Sequence, residues 1–127
     1  MRIALDTNRY VDFCRGEPEV VRVIQQSTNI LLPFVVLAEL RAGFLCGNRS
    51  RQNERTLDKF LLSEGVAIIQ ADEETTHHYA RLFQQLRKRG TPIPTNDLWI
   101  AALVVQHDLT LFARDAHFDH LPQLARI

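Results

Sequence analysis

The sequence predicts an α/β domain with a central parallel sheet of four or five strands between two layers of helices. Short apolar segments that suit buried strands alternate with longer segments of helical periodicity. Parallel strands require crossover connections, which place helices on both faces of the sheet. The chain has 127 residues, the size of one ordinary domain, and no repeat, low-complexity tract or linker divides it. We therefore expect a single domain over residues 1–127.

The first half of the chain predicts two strands and four helices. An apolar strand at Arg2–Leu5 leads directly into Asp6, Thr7 and Asn8, residue types that begin helices. Apolar residues at helical spacing then predict helices over 10–14, 20–24, 35–45 and 50–63, and a strand over 30–32 ends at Pro33.

The second half predicts the remaining strands and two long helices. Apolar strands are expected at 66–69 and 109–112, with a last edge strand at 124–127. An amphipathic helix over 72–89 ends at Gly90. The helix that begins at Asn96 and Asp97 continues through the apolar run Leu98–Val105, which includes Trp99, so it must lie at the centre of the fold.

The composition indicates a soluble globular protein, with 46% hydrophobic and 24% charged residues. The longest uncharged stretches are too short to cross a bilayer and do not have the layout of a signal peptide, so a cytoplasmic location without membrane contact is expected. Cys14 and Cys46 lie far apart in helical contexts, which predicts buried thiols and not a disulfide.

The charge balance does not by itself indicate a nucleic-acid-binding protein, because 15 basic and 15 acidic residues cancel. If four carboxylates were sequestered around metal ions, however, 15 basic groups would remain against 11 acidic ones. All but two of the basic residues are Arg, the side chain that grips phosphate with a planar fork. A compositional bias of the genome is the alternative explanation.

Two acidic residues are placed where an open α/β sheet binds its ligands, outside the carboxyl ends of the strands, and two more lie on adjoining helices. Asp6 follows the first strand and Asp115 follows the fourth. Asp97 begins the central helix just before that fourth strand, and Glu39 lies on the helix after the second. If the first and fourth strands are neighbours, all four carboxylates converge on one cleft.

Each of these residues also has a purely structural interpretation. Asp6 and Asp97 suit helix N-caps, and Asp115 suits a turn. Glu39 is harder to explain in this way, because its neighbours are apolar and an isolated buried carboxylate is costly. Arg41 is an unsuitable partner for Glu39, since residues two apart on a helix do not face each other.

Together, the four carboxylates would repel one another unless cations neutralise them, and oxygen ligands select Mg²⁺ or Mn²⁺. Such a site suits phosphodiester hydrolysis, in which metal ions activate a water and stabilise the leaving oxygen. Asp119 lies one turn past Asp115 and is left open as a further member. No His or Cys has zinc-ligand spacing, and we expect the paired histidines at 77 and 78, and likewise at 117 and 120, to lie on the surface.

Four segments resemble, in order, the acidic motifs of PIN domains: Leu5–Asn8, Leu37–Leu40, Asn96–Ala102 and Ala113–Phe118. The resemblance extends over essentially the whole chain and includes its length. It implies a three-layer α/β/α fold and a Mg²⁺-dependent (or Mn²⁺-dependent) ribonuclease whose catalytic and metal-binding residues are Asp6, Glu39, Asp97 and Asp115.

The resemblance also implies a biological setting and roles for individual residues. PIN domains of this size are commonly VapC-like toxins that cleave RNA, pair with a small antitoxin that blocks the site, and form homodimers. On this basis our working hypothesis is that Asp6, Asp97 and Asp115 bind Mg²⁺ and hold the attacking water. Glu39 completes the cluster and takes part in proton transfer, and Arg114 meets a substrate phosphate. One departure is visible, because Ala113 stands where the last motif usually carries Thr or Ser.

Three other classes of protein place acidic residues in a similar way. A receiver domain needs an acid pair beside Asp6 and a Lys after the last strand, but Asn8 breaks the pair and no Lys follows residue 88. A phosphatase with a first-strand Asp nucleophile needs a second Asp where Asn8 stands. A binding module that keeps the acidic pocket without cutting, for instance beside a DNA-binding partner, stays open.

Overall fold

The computed structural model describes all 127 residues, which form five strands, six α-helices and one 3₁₀ helix. In chain order these are β1 (Arg2–Leu5), α1 (Thr7–Cys14), α2 (Pro18–Gln26), β2 (Asn29–Pro33), α3 (Phe34–Cys46), α4 (Ser50–Leu61), β3 (Val66–Ile69), α5 (Glu73–Arg89), α6 (Thr95–Gln106), β4 (Thr110–Phe112), the 3₁₀ helix (Ala116–His120) and β5 (Ala125–Arg126).

The five strands form one parallel sheet in the order β3-β2-β1-β4-β5, which confirms the predicted three-layer α/β/α fold. From β1 the chain first builds outwards to β2 and β3, then returns to the other side of β1 with β4 and β5. The direction of winding therefore reverses between β1 and β4, where Leu5 pairs with Phe112. Open α/β sheets bind ligands at the carboxyl ends of the strands at such a switch point.

The most deeply buried elements are β1 and α6, and the sequence predicts this position for α6. Ile3, Ala4 and Leu5 are completely buried, and so are most side chains of α6 from Leu98 to Val104. Helix α6 is apolar on all sides because it packs along α5 and contacts α3 as well. Trp99 is partly buried against Tyr79, with ring centroids 4.2 Å apart. A helix held in this way gives Asp97 in its first turn a fixed position.

The turn that leads into β3 requires a glycine. Gly65 precedes β3 with a φ of +80°, and a Cβ there would lie 2.7 Å from the carbonyl oxygen of Thr28. Only glycine combines that backbone conformation with so close an approach.

None of the six helices has both the length and the apolar composition needed to span a bilayer.

The prediction of buried thiols is wrong, because Cys14 and Cys46 are both exposed and free. Cys14 is the last residue of α1 and Cys46 is the last of α3. Both therefore lie at helix ends that are exposed to solvent. Helical periodicity alone does not show which turns of a helix are exposed.

Candidate metal centre

Asp6 is held at the carboxyl end of β1 by its own backbone. Its N–H donates to the carbonyl of Phe112 at 3.2 Å, which joins the ends of β1 and β4. Its Oδ1 accepts the N–H of Thr7 at 2.8 Å, so Asp6 is the N-cap of α1. The residue is 5% exposed, and no cationic side chain pairs with it. Asp6 is therefore both a helix cap and a buried carboxylate without a counter-charge.

The electrostatics of Asp6 show that the four predicted carboxylates are neighbours. Burial raises the pKa of Asp6 from 3.8 to about 6, and the N–H of Thr7 opposes this. The negative charges of Asp97, Glu39 and Asp115 raise the Asp6 pKa further, in that order. The structure thus brings together, at the switch point, the four residues that the sequence singled out.

Asp97 lies in the first turn of α6 but is not its N-cap. The N-cap is Pro94, which makes no side-chain cap hydrogen bond, and the helix begins at Thr95. The structure confirms that Asn96 and Asp97 lie in the first turn of this helix, but the N-cap interpretation of Asp97 is wrong. Its side chain is 13% exposed, and burial raises the Asp97 pKa, with the carboxylates of Asp115 and Glu39 adding to the effect.

Glu39 is half-buried, and its neighbour Ala38 is exposed. The expectation of a fully buried carboxylate on α3 is therefore wrong. Apolar residues occupy all sides of this helix, but the side that carries Ala38 and Glu39 is exposed to solvent. Oε1 of Glu39 accepts a hydrogen bond from the Thr7 hydroxyl at 2.9 Å. Arg41 does not pair with Glu39, as the helical phase predicts, and instead lies 3.1 Å from a carboxylate oxygen of Glu54. Thr7 thus links the carboxylates of Asp6 and Glu39.

Asp115 follows β4 and caps the 3₁₀ helix. Its Oδ1 accepts the backbone N–H of His117 at 2.9 Å, the arrangement of a short turn. The turn interpretation is therefore correct, and it does not compete with membership of the cluster, because the same carboxylate also acts on the pKa values of Asp6 and Asp97.

His117 is a member of the cluster that sequence reasoning missed. Its Nδ1 lies 2.8 Å from Oδ2 of Asp97 and 3.0 Å from Oδ1 of Asp115, so the expected surface role is incomplete. The imidazole is 46% exposed but points its Nδ1 between two carboxylates. The sequence feature that indicates this contact is the position of His117 two residues after Asp115. A turn begun by Asp brings a side chain at that position back towards the carboxylate.

Arg126 on the edge strand β5 holds the segment that carries Asp115 and His117. Its Nη2 donates to the carbonyls of Ala113 at 2.9 Å and Asp115 at 3.2 Å. Its Nη1 pairs with Asp119, and its guanidinium lies over the ring of Phe118. Asp119 is thus committed to Arg126 and lies outside the cluster. The segment that lacks a hydroxyl at Ala113 is fixed through its backbone instead.

Arg114 is anchored beside the cluster by Asp12. Its Nε donates to Oδ2 of Asp12 at 3.1 Å and its Nη2 to Oδ1 at 3.4 Å. Asp12 also pairs with Arg9 at 3.4 Å, so one carboxylate serves two guanidinium groups. The Arg114 side chain remains 50% exposed, which leaves its outer edge accessible to an anion.

The sequence of this chain matches a known protein family. The family model of the PIN domain matches residues 3–124. The chain belongs to the PIN-domain family. Among curated proteins, it is 31% identical to ribonuclease VapC1 of Haemophilus influenzae over 87% of this chain and 89% of that protein. It is 30% identical to ribonuclease VapC2 of Rickettsia felis over 94% of this chain and 92% of that protein.

Solved structures of toxin-antitoxin complexes have the same fold. The VapBC2 complex of Rickettsia felis, bound to a promoter DNA fragment, contains a chain that matches this PIN domain with a TM-score of 0.88 and 28% identity, covering 100% of this chain and 98% of that one. For VapBC-1 of nontypeable Haemophilus influenzae the TM-score is 0.85 and the identity 27%, covering 100% and 97%.

The side chains of this PIN domain suit a divalent cation. The charge of Asp6 is desolvated, unpaired and surrounded by three further carboxylates, so a cation would relieve both the burial cost and the repulsion. Asp97, Asp115 and His117 each offer a ligand atom within 4.8 Å of the others. Carboxylate oxygens in the majority favour Mg²⁺ or Mn²⁺.

Proposed function

We propose that this PIN domain is a Mg²⁺-dependent or Mn²⁺-dependent endoribonuclease that hydrolyses RNA phosphodiester bonds as the toxin of a toxin-antitoxin pair. The observation that carries the proposal is the convergence of Asp6, Glu39, Asp97 and Asp115 at the switch point of the sheet. Support comes also from the relatives, which are named ribonucleases.

Three of the four carboxylates are proposed as metal ligands, and the fourth is proposed to accept a proton from the attacking water. Asp6, Asp97 and Asp115 are proposed to hold the metal, because Asp6 has no other counter-charge and Asp97 and Asp115 offer ligand atoms close together. When bound, the metal would lower the pKa of a water and stabilise charge on the phosphate. Glu39 is half-buried and fixed by Thr7, a position from which it completes the cluster and accepts a proton from water.

Arg114 is proposed to contact a substrate phosphate. Asp12 holds its Nε and Nη2, so the guanidinium is already oriented before substrate arrives, and half of the side chain is exposed. Arg9 and Arg114 together carry two positive charges against the one negative charge of Asp12. The excess charge next to the carboxylate cluster suits the RNA backbone.

The partners are proposed from the neighbouring structures. Those structures are VapBC complexes, which supports a cognate antitoxin that binds this chain and inhibits it. We further propose a single PIN domain over residues 1–127, a homodimer that assembles with the antitoxin into a hetero-oligomer, and a cytoplasmic location.

A second candidate function is a non-cleaving module that acts with a DNA-binding partner. Ala113 favours it, because the hydroxyl that PIN domains usually place at this position is missing. The Rickettsia felis complex is described as bound to promoter DNA, which is the kind of assembly such a module would join. The intact carboxylates and the backbone hydrogen bond from Arg126 to Ala113 favour the enzyme.

Expression of the chain alone and together with the product of its neighbouring gene tests the proposal. Alone, the chain should arrest growth and produce new RNA 5′ ends that sequencing detects. Co-expression should suppress both effects, and Asp97→Asn should suppress them without a partner. Growth arrest without new RNA ends would favour the non-cleaving module. New ends with Asp97→Asn at wild-type abundance would contradict the assignment of Asp97 to the cleaving site.

A further inference from the structure

His117 places a nitrogen atom among the oxygen ligands of the metal centre. Its Nδ1 is 2.8 Å from Oδ2 of Asp97 and 3.0 Å from Oδ1 of Asp115. Three separate elements bring these atoms together: the first turn of α6, the end of β4, and the 3₁₀ helix. We propose that His117 is a metal ligand together with Asp97 and Asp115, and that its imidazole makes the site prefer Mn²⁺ over Mg²⁺.

The distances suit coordination of a single ion. Ligand bonds of about 2.1 Å at right angles place neighbouring ligand atoms about 3 Å apart, and ligands on opposite sides about 4.2 Å apart. The two separations from Nδ1 lie at the first of these values, and all three ligand atoms lie within 4.8 Å of one another. An ion can therefore replace the proton between Nδ1 and the carboxylates with small side-chain movements.

The local backbone directs the imidazole to this place. The N–H of His117 donates to Oδ1 of Asp115 at 2.9 Å, which folds the chain so that residue 117 returns to the carboxylate it follows. Arg126 fixes the same segment through the carbonyls of Ala113 and Asp115. The imidazole hydrogen bonds to the carboxylate of Asp97, and its Nδ1 also lies 3.0 Å from Oδ1 of Asp115, so both of its polar contacts are with carboxylates of the cluster.

The donor set decides which metal is favoured. Mg²⁺ prefers oxygen ligands and retains its waters, and it gains little from an imidazole. The affinity of nitrogen-containing sites rises from Mn²⁺ through the later first-row ions, and Mn²⁺ also accepts the carboxylate majority of this cluster. A single histidine among carboxylates is therefore a combination that raises the affinity for Mn²⁺ relative to Mg²⁺.

A simple counter-charge is the competing role for His117. A protonated imidazole between Asp97 and Asp115 would reduce their repulsion in the metal-free protein and would have to leave when a cation binds. In that case removal of the imidazole would strengthen metal binding, or leave it unchanged, for both ions alike. The ligand role predicts the opposite result for Mn²⁺, so the two roles can be separated by measurement.

Pulsed EPR of Mn²⁺ bound to the full chain tests the proposal directly. The wild type should show ¹⁴N modulation from a coordinated imidazole, and His117→Ala should lose it. His120→Ala is the matched control, because His120 lies on the same 3₁₀ helix and its ring has no partner in the cluster; this variant should keep the modulation. Absence of ¹⁴N modulation from Mn²⁺-bound wild type, or its persistence in His117→Ala, would overturn the proposal.

Metal affinities complete the test. His117→Ala should weaken Mn²⁺ binding by about tenfold or more and Mg²⁺ binding by less than about threefold, as measured by calorimetry. Equal changes for both ions, or tighter Mn²⁺ binding, would overturn the preference. The inference rests on the proposed metal role of the carboxylates, which Asp97→Asn tests separately. If Mn²⁺ binding needs Asp97 but shows no nitrogen ligand, only the role of His117 fails; if Mn²⁺ binding does not need Asp97, the metal centre itself fails.

Discussion

Replacement of Asp6 by Asn should stabilise the metal-free protein while removing its activity. The Asn Oδ1 still accepts the N–H of Thr7, so the cap of α1 is kept. What is lost is a charge that is 5% exposed and close to three other carboxylates. In the absence of metal that charge is unfavourable in the folded state, and the neutral amide avoids its cost.

The magnitude follows from the pKa of Asp6. The folded state raises it from 3.8 to about 6, so the folded protein binds the proton more tightly than the unfolded chain does. Below about pH 4 both states are protonated and the charge costs nothing. Between about pH 4 and 6 the folded state loses stability as pH rises, and above that range the full cost is reached, about 3 kcal/mol at most.

Thermal and urea unfolding in the presence of a chelator measure this effect. At pH 7.5 Asp6→Asn should be more stable than wild type by up to about 3 kcal/mol, or roughly 10 °C in Tm, and at pH 3.5 the two should coincide. Asp58→Asn, which changes an exposed carboxylate on α4, should show no such pH dependence. Lower stability of Asp6→Asn at pH 7.5, or a difference that does not change with pH, would refute the assignment of Asp6 as a buried, repelled carboxylate.

Three further substitutions test the parts of the protein that support the site. Arg126→Met should reduce RNA cleavage on the order of 10²-fold, because the segment that carries Asp115 loses the hydrogen bonds that Arg126 donates to its backbone. Circular dichroism should show that the fold is retained. Unchanged initial rates of cleavage would contradict this prediction. Thr7→Val should lower stability by about 1 kcal/mol and slow cleavage, since Glu39 loses its hydroxyl donor, whereas Thr7→Ser should behave as wild type in the same two assays. Gly65→Ala should cost roughly 3 kcal/mol in urea unfolding, because both φ and the carbonyl contact oppose a Cβ. Gly16→Ala, at a φ of +76° in open space, should cost only about 1 kcal/mol, and equal costs would show that the close contact is unimportant.

The fold could be predicted from the sequence because its strongest determinants are local. Segments such as Arg2–Leu5 and the all-apolar run of α6 allow few alternatives to a buried strand and a central helix. The adjacency of β1 and β4 was only a condition of the predicted site, and the structure meets this condition, which places Asp6 and Asp115 at one edge of the sheet.

The details of the site depended on tertiary contacts that no local pattern contains. Glu39 was expected to be fully buried, but helical periodicity does not show where α3 emerges into solvent. The spacing of His117 and His120 predicts a surface position, and the closeness of His117 to Asp97 arises only because α6 and the 3₁₀ helix meet in space. Arg126 lies thirteen residues after Ala113, and only the pairing of β5 with β4 brings the two together.

Cleavage of a defined RNA by the purified chain, with and without divalent metal, tests most directly whether the carboxylate cluster is a metal-dependent nuclease site. Wild type and Asp58→Asn should cleave in Mn²⁺ or Mg²⁺ and stop when a chelator is added. Asp97→Asn should be slower by roughly 10²-fold or more while its fold is retained by circular dichroism. Cleavage that continues in chelator, or a folded Asp97→Asn that cleaves at the wild-type rate, would contradict the assignment of this cluster as the active site.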